Sequence, residues 1–161
     1  MNRGHVDSIP DKTKWLNYLH IADDYFEKSL KIYPQYYDGY LNIGCSKLKQ
    51  YKFDEAQVDW DSAEKYMPQH PMLKVYRKNL GHIFLDSSNV YHGNGKIEAA
   101  FQYLQKAKAL IPDEPEVYYN LGGYYYTIHD MAKAKENWQK CIELNPDHEQ
   151  AKAGLKAIGG L

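Results

Sequence analysis

The chain is short of cysteine, of net charge and of long apolar runs, and each shortage closes off a class of protein. Only Cys45 and Cys141 occur in 161 residues, so no disulfide framework braces the fold. A net charge of −1 argues against a nucleic-acid or anionic-membrane surface. No apolar stretch approaches the roughly 18 residues that a membrane span needs. No secretory leader pattern opens the sequence, and no Asn-x-Ser/Thr acceptor occurs in it. The expectation is a soluble piece with no direct membrane insertion and no nucleic-acid partner, cytoplasmic or extracytoplasmic as part of a larger chain.

Recognisable chemistry is scarce too. Cys-x-x-Cys, His-Glu-x-x-His and Gly-x-Ser-x-Gly are all absent, which removes the common zinc, redox and hydrolase signatures. Gly93-Asn-Gly95-Lys96 has the look of a phosphate loop, but Val90 and Ile97 stand where that loop needs a glycine and a hydroxyl residue. It reads as a turn. His82 and Asp86 are four apart on one helix face with Cys45 at the equivalent slot one unit earlier. A metal there would need a closed ligand set, and polar groove residues are the simpler account. The paired carboxylates Asp23-Asp24 and Asp54-Glu55 read as solvated faces. The sequence therefore predicts no enzyme, no cofactor and no metal.

What is present is a rhythm. The composition, 43% apolar and 25% charged, suits one globular domain of this length. Pro34, Pro68, Pro112 and Pro146 fall 34, 44 and 34 residues apart, a period at which stacked helical hairpins bury their apolar faces against their neighbours. Tyr118, Leu121 and Tyr125, then Ala134, Trp138 and Cys141, are spaced by three and four residues, as one helical stripe requires. Gly44, Gly81 and Gly122 sit in mid-helix, where glycine costs about 1 kcal/mol relative to alanine. Each is expected to let the paired helix approach closely, as Ala56, Ala100 and Ala134 do from the other side. Cys141 fills a small buried slot held by Ala63 and Ala107 elsewhere, and both cysteines are expected to be free thiols. Most of the sixteen tyrosines fall at apolar slots and are expected to serve packing first.

This pattern resembles the tetratricopeptide (TPR) repeat. The last unit carries Tyr118, Leu121-Gly122, Tyr125, Ala134, Trp138, Cys141 and Pro146, and the second carries Tyr40, Ile43-Gly44, Ala56, Trp60, Ala63 and Pro68. The third carries Leu80-Gly81, Phe84, Ala100, Leu104, Ala107 and Pro112, with Arg77 where an aromatic is usual, as Lys47 stands where tyrosine is usual in the second. The resemblance implies an all-α, right-handed α-solenoid of antiparallel helix pairs, a single domain over residues 1–161. Its parts are a half repeat (9–36, second helix only), a repeat (37–70), a repeat with about ten extra residues (71–114), a repeat (115–148) and a capping helix (149–161). Helices are expected near 9–33, 37–50, 53–66, 72–91, 96–110, 115–128, 131–144 and 148–158. Asp113 with Glu116, Asp147 with Gln150, and Ser8 ahead of Pro10 look like helix-start devices.

Two departures matter. The ten extra residues lie mostly at Asp86–His92, where Leu80, Phe84, Ser88 and Tyr91 keep helical spacing. A helix lengthened by two turns is expected, either a docking element or a harmless insertion. The first helix lacks a partner on one side and carries Trp15, Leu16 and Leu19 toward an open end. Either the chain is a piece of a longer protein or that end is covered by self-association.

In the family, first helices line a concave groove that takes extended peptides. Asn42, Asn79 and Asn120 precede the Ile/Leu-Gly pairs, and this stack resembles the asparagine ladder of the family's superhelical arrays, whose amides can pair with a peptide backbone. Neighbouring slots supply Leu41, Cys45 and Lys49, then Lys78 and His82, then Tyr119 and Tyr126, the tyrosines as side-chain anchors or as packing against the capping helix. The carboxylate clamp of chaperone-binding members is matched at only Lys78 and Asn120 of its five positions, which disfavours a chaperone tail. The implied function is a non-enzymatic scaffold that binds a protein or peptide partner in the groove. The alternative is a structural repeat tail of a larger protein, similar to those following membrane-bound glycosyltransferase-like regions in some bacteria.

Overall fold

The computed structural model describes residues 12–159. All eight elements among them are helices: α1 (Lys12–Ile32), α2 (Tyr37–Lys49), α3 (Phe53–Tyr66), α4 (Pro71–Gly93), α5 (Ile97–Leu110), α6 (Pro115–Thr127), α7 (Met131–Leu144) and α8 (Glu149–Ala157). Every expected helix is present, with ends shifted by at most two residues, apart from the start of α1, expected at residue 9 and so outside the described residues. The Ser8–Asp11 start signal lies outside the described residues. None of the described helices is long and apolar enough to cross a membrane.

Two compact units form, the first ending at Lys74 and the second beginning at Val75. In the first, α2 packs on α3 and α1 on α2. The α2–α3 contact is built on one glycine and one tryptophan. A Cβ at Gly44 would overlap the Trp60 indole, and Trp60, Ala56 and Ala63 are buried almost completely. In the second unit the same device joins α6 to α7, where a Cβ at Gly122 would overlap Trp138. The indole Nε1–H of Trp138 donates to the Tyr119 carbonyl at 3.1 Å, so the ring is both wedged and pinned. The third repeat has Leu104 at the tryptophan slot, and there Gly81 faces Ile111 instead, with a Cβ falling 2.8 Å from its Cγ2. Close approach is thus common to all three glycines, but its partner changes with the side chain available.

Lys47, the misfit at a tyrosine slot, pairs with Asp59 at 2.8 Å and Glu55 at 3.7 Å across the α2–α3 seam. Burial works against the Lys47 charge, but the hydrogen bond and charge of Asp59 outweigh it and raise its pKa. The acidic stretch at Asp54-Glu55 is therefore only partly a solvated face. Asp23 is half-buried rather than solvated, and its Oδ2 accepts from Gln50 Nε2 at 3.1 Å.

The tyrosines depart from expectation in part. Only Tyr118 is counted in the core. Others sit half-buried in ring pairs at helix seams, with centroids 5.8 Å apart for Tyr40–Tyr66 and 5.1 Å for Tyr91–Tyr103. In α1 the expected open stripe holds at Trp15, which is 44% exposed, but not at its two leucines. Leu19 is buried and Leu16 half-buried on the α2 side. Tyr18, Ile21, Tyr25 and Ile32 form the exposed stripe, with 53% to 87% of their surface free. At about 100° per residue, those four cluster about 130° around α1 from Leu19, Phe26 and Leu30.

Replacing Gly122 with alanine adds helix propensity but drives a methyl into a buried indole. Overpacking of that kind costs about 1–3 kcal/mol and outweighs the roughly 1 kcal/mol of propensity. Thermal unfolding should show a Tm lowered by several degrees. An unchanged or raised Tm would mean that the helix pair spreads freely and the close approach is incidental.

Candidate binding cleft of the second unit

The two extra turns of α4 are helical, and they are packed. Ser88 is buried, its hydroxyl donating to the Leu85 carbonyl at 2.7 Å, and Tyr91 stacks on Tyr103 of α5. The extension brings Asn89 to α6, where its Oδ1 accepts from Asn120 Nδ2 at 2.8 Å. Sequence reasoning named Asn120 and missed Asn89. The signal was available, since Asn89 lies one residue beyond Ser88 on the helix that the spacing of Leu80, Phe84, Ser88 and Tyr91 had already lengthened.

Between α4, α5 and α6 lies a cleft of about 230 Å³ lined by Ser88, Asn89, His92, Ala100, Leu104, Tyr119, Asn120, Gly123 and Tyr124. Ala100 and Leu104 are buried apolar residues; His92 and Asn89 are exposed. Tyr124 stacks on Phe101 at 4.1 Å, and its hydroxyl lies 3.5 Å from Glu98 Oε2. Burial and then the Glu98 carboxylate hold the Tyr124 phenol above its ordinary pKa, so it stays a neutral donor. Gly123 differs from Gly122, because a Cβ there would meet nothing within 4 Å. A mid-helix glycine costs about 1 kcal/mol relative to alanine, and at this position no packing contact explains it.

Tyr119 joins the cleft to α8. Its ring lies 4.8 Å from that of His148. The expected cap at Asp147 is displaced by one residue: His148 is the N-cap of α8, its Nδ1 accepting from the Ala151 amide at 3.2 Å. That leaves the ring proton on Nε2, which faces Glu116 Oε1 at 3.0 Å. Glu116 is thus spent on α8, and the start of α6 has Glu114 as N-cap with no side-chain bond and Pro115 in its first turn, not Asp113. Asp147 is drawn instead into a turn in which its amide donates to Asn145 Oδ1 at 3.1 Å.

The remaining sequence-predicted residues divide by unit. In the second unit Lys78 and Asn79 are exposed on α4, His82 Nε2 lies 3.9 Å from Glu114 Oε2, and Tyr126 is 46% exposed with its ring 5.8 Å from Trp138. In the first unit Leu41 is buried, Cys45 half-buried and Asn42 exposed. The Asn42 amide donates back to the Asp38 carbonyl at 2.7 Å, and Lys49 lies over the Trp15 ring at 5.2 Å. Among the described residues no group of three or more His, Cys, Asp or Glu could hold a metal ion. Both cysteines are free.

Two tetratricopeptide repeat profiles match, over residues 79–114 and 115–148. The chain carries tetratricopeptide repeats. Its fold is the all-α helical repeat of that family. Among curated relatives, Protein O-mannosyl-transferase TMTC3 of Mus musculus is 25% identical, the match covering 81% of this chain and 16% of that protein. Tetratricopeptide repeat protein 7B of Homo sapiens is 26% identical over 73% of this chain and 13% of its own. The chain spans only about a seventh of the length of such relatives. Among solved structures, MamA aligns at TM-score 0.45 with 19% identity, covering 95% of this TPR chain and 86% of MamA. YrrB, titled a TPR protein with an unusual peptide-binding site, aligns at 0.45 with 17% identity, covering 89% and 86%.

His148→Ala removes the α8 cap and the Glu116 contact together. Loss of a cap costs about 0.5–2 kcal/mol, so chemical denaturation should show a stability loss in that range, and an unchanged midpoint would refute the capping role. Burial pushes the Cys141 thiol up to about 11. It should resist thiol reagents at pH 8 in the native protein and react fully in denaturant. Because the folded thiol holds its proton longer than the unfolded one, its contribution to stability is intact below pH 9 and is lost as pH rises toward 11.

Proposed function

We propose that this TPR chain is a non-enzymatic interaction module whose second unit binds an extended peptide or partner helix along α4 and α6. The observation that carries the reading is the cleft flanked by the Asn89–Asn120 amide pair. A carboxamide offers one donor and one acceptor side, the complement of a peptide unit, and Asn120 already shows its amide engaged by a group of the same kind. Asn79, one repeat earlier on α4, is exposed and extends the row. Lys78 and His82 add donors beside it, and Tyr126 and Tyr119 supply ring surface that costs little entropy to order. Asn42, Cys45 and Lys49 form the corresponding face of α2 in the first unit, while Leu41 supports it from the core.

A second reading is favoured by the exposed stripe of α1 and by the relatives' lengths. In it the chain is the helical-repeat part of a larger, glycosyltransferase-like protein, and Tyr18, Ile21, Tyr25 and Ile32 take a neighbouring helix. Self-association through the same stripe is its rival. Sedimentation separates them: a monomer with Ile21 and Tyr25 open to solvent supports a missing neighbour, and a dimer abolished by Ile21→Glu with Tyr25→Glu supports self-association.

The groove is tested by Asn79→Ala combined with Asn120→Ala. These side chains are at the surface or half-buried, so Tm should change little while affinity for a captured partner falls at least tenfold. A large loss of folding would make the asparagines structural; unchanged affinity would remove them from the interface.

A further inference from the structure

We infer that the cleft beside Asn120 is a pocket for one aromatic side chain of a bound extended peptide, an inference that rests on the peptide-binding reading above. Three observations converge on it. The cleft is closed on its apolar side by Ala100 and Leu104 and walled by the planar groups of Tyr119, Tyr124 and His92, surfaces on which a ring gains offset or edge contacts beyond its burial. Its volume, about 230 Å³, is that of a side-chain pocket and not of a free-standing metabolite site. At its edge stand the Asn89 and Asn120 carboxamides; their mutual bond at 2.8 Å takes up Asn120 Nδ2 and Asn89 Oδ1, which leaves Asn89 Nδ2 as donor and Asn120 Oδ1 as acceptor for a peptide's amide beside them.

Gly123 is the fourth observation and sets the specificity. Nothing occupies the space its side chain would fill, so neither close helix packing nor a turn accounts for a glycine in the middle of α6. Any larger residue would project into the cleft. The glycine keeps the pocket open, and the two-turn lengthening of α4 completes it by supplying Ser88, Asn89 and His92. A repeat without those turns would leave the same face of α6 flat. The insertion in the third repeat and the glycine in the fourth therefore belong to one device.

The test uses the whole chain labelled with 15N and four blocked amino acids as probes: N-acetyl-L-phenylalaninamide, N-acetyl-L-tyrosinamide, N-acetyl-L-leucinamide and N-acetylglycinamide. The aromatic amides should give saturable shifts of the Gly123 amide and of the Asn89 and Asn120 side-chain signals at millimolar concentration. Leucinamide should bind several-fold more weakly and glycinamide should leave the signals still. Gly123→Ala and Gly123→Leu should both fold, the alanine variant with a raised Tm, and the leucine variant should weaken the aromatic probes at least tenfold. The pocket is overturned if the aromatic amides leave the cleft signals unmoved, if leucinamide or glycinamide matches them, or if Gly123→Leu binds as well as the native chain. Loss of partner affinity in the Asn79/Asn120 variant alongside a silent cleft would discard the aromatic pocket and retain the groove; unchanged partner affinity in that variant would discard the groove itself.

Discussion

The interlock of a glycine with a large side chain of the paired helix is the contact on which the hairpins depend. At Gly44–Trp60 and Gly122–Trp138 an indole lies against bare backbone, which draws the helices together without leaving a void. Burying a tryptophan this completely is among the largest single contributions a side chain makes, about 3–5 kcal/mol when truncated to alanine. Two mid-helix glycines cost less than that together. The same geometry dictates which faces remain outward. Once Leu121, Gly122 and Val117 are committed to the core, Tyr119, Asn120, Gly123 and Tyr126 must face elsewhere, because four successive helix positions cannot share one side.

In the proposed reading, binding comes from what is added to the repeat. The lengthened α4 is anchored by Ser88 and by the Tyr91–Tyr103 stack, and its outward residues reach α6. The His148 cap connects α8 to α6 through Glu116 and Tyr119, so one wall of the cleft is held from both sides: by the Trp138 indole at the Tyr119 carbonyl and by the imidazole at its ring. A wall fixed in this way is preorganised for any segment that the proposed groove would take. In the first unit, by contrast, Asn42 turns back on its own helix and Lys49 covers Trp15.

Much of this was legible before any coordinates. The proline spacing and the glycine and alanine slots placed eight helices within a residue or two at most ends, because apolar periodicity and helix breakers act locally. The extension of α4 was readable from four residues at helical spacing. A helix angle follows from position alone, and Asn120 and Tyr119 fall outside the buried stripe of α6, each half-buried. The helix starts were less legible: Asp113 and Asp147 have the right spacing for caps, but Pro115 and the Asn145 turn shift each start, and a cap depends on the backbone angle of a single residue. On α1 two apolar stripes are present and only packing selects which is buried: Leu19 is, while Trp15, Tyr18 and Ile21 stay exposed.

The sequence by itself determined the helices, their pairing and the small residues at each seam, since these follow from contacts a few residues apart repeated along the chain. Tertiary structure alone decided that Asn89 meets Asn120, that Glu116 is spent on His148, that Lys47 pairs with Asp59, and that Gly123 faces open space while Gly122 faces an indole. Those outcomes depend on where one helix's side chains fall on the next, and a rotation of some tens of degrees between neighbours, invisible in the spacing, would change every one of them.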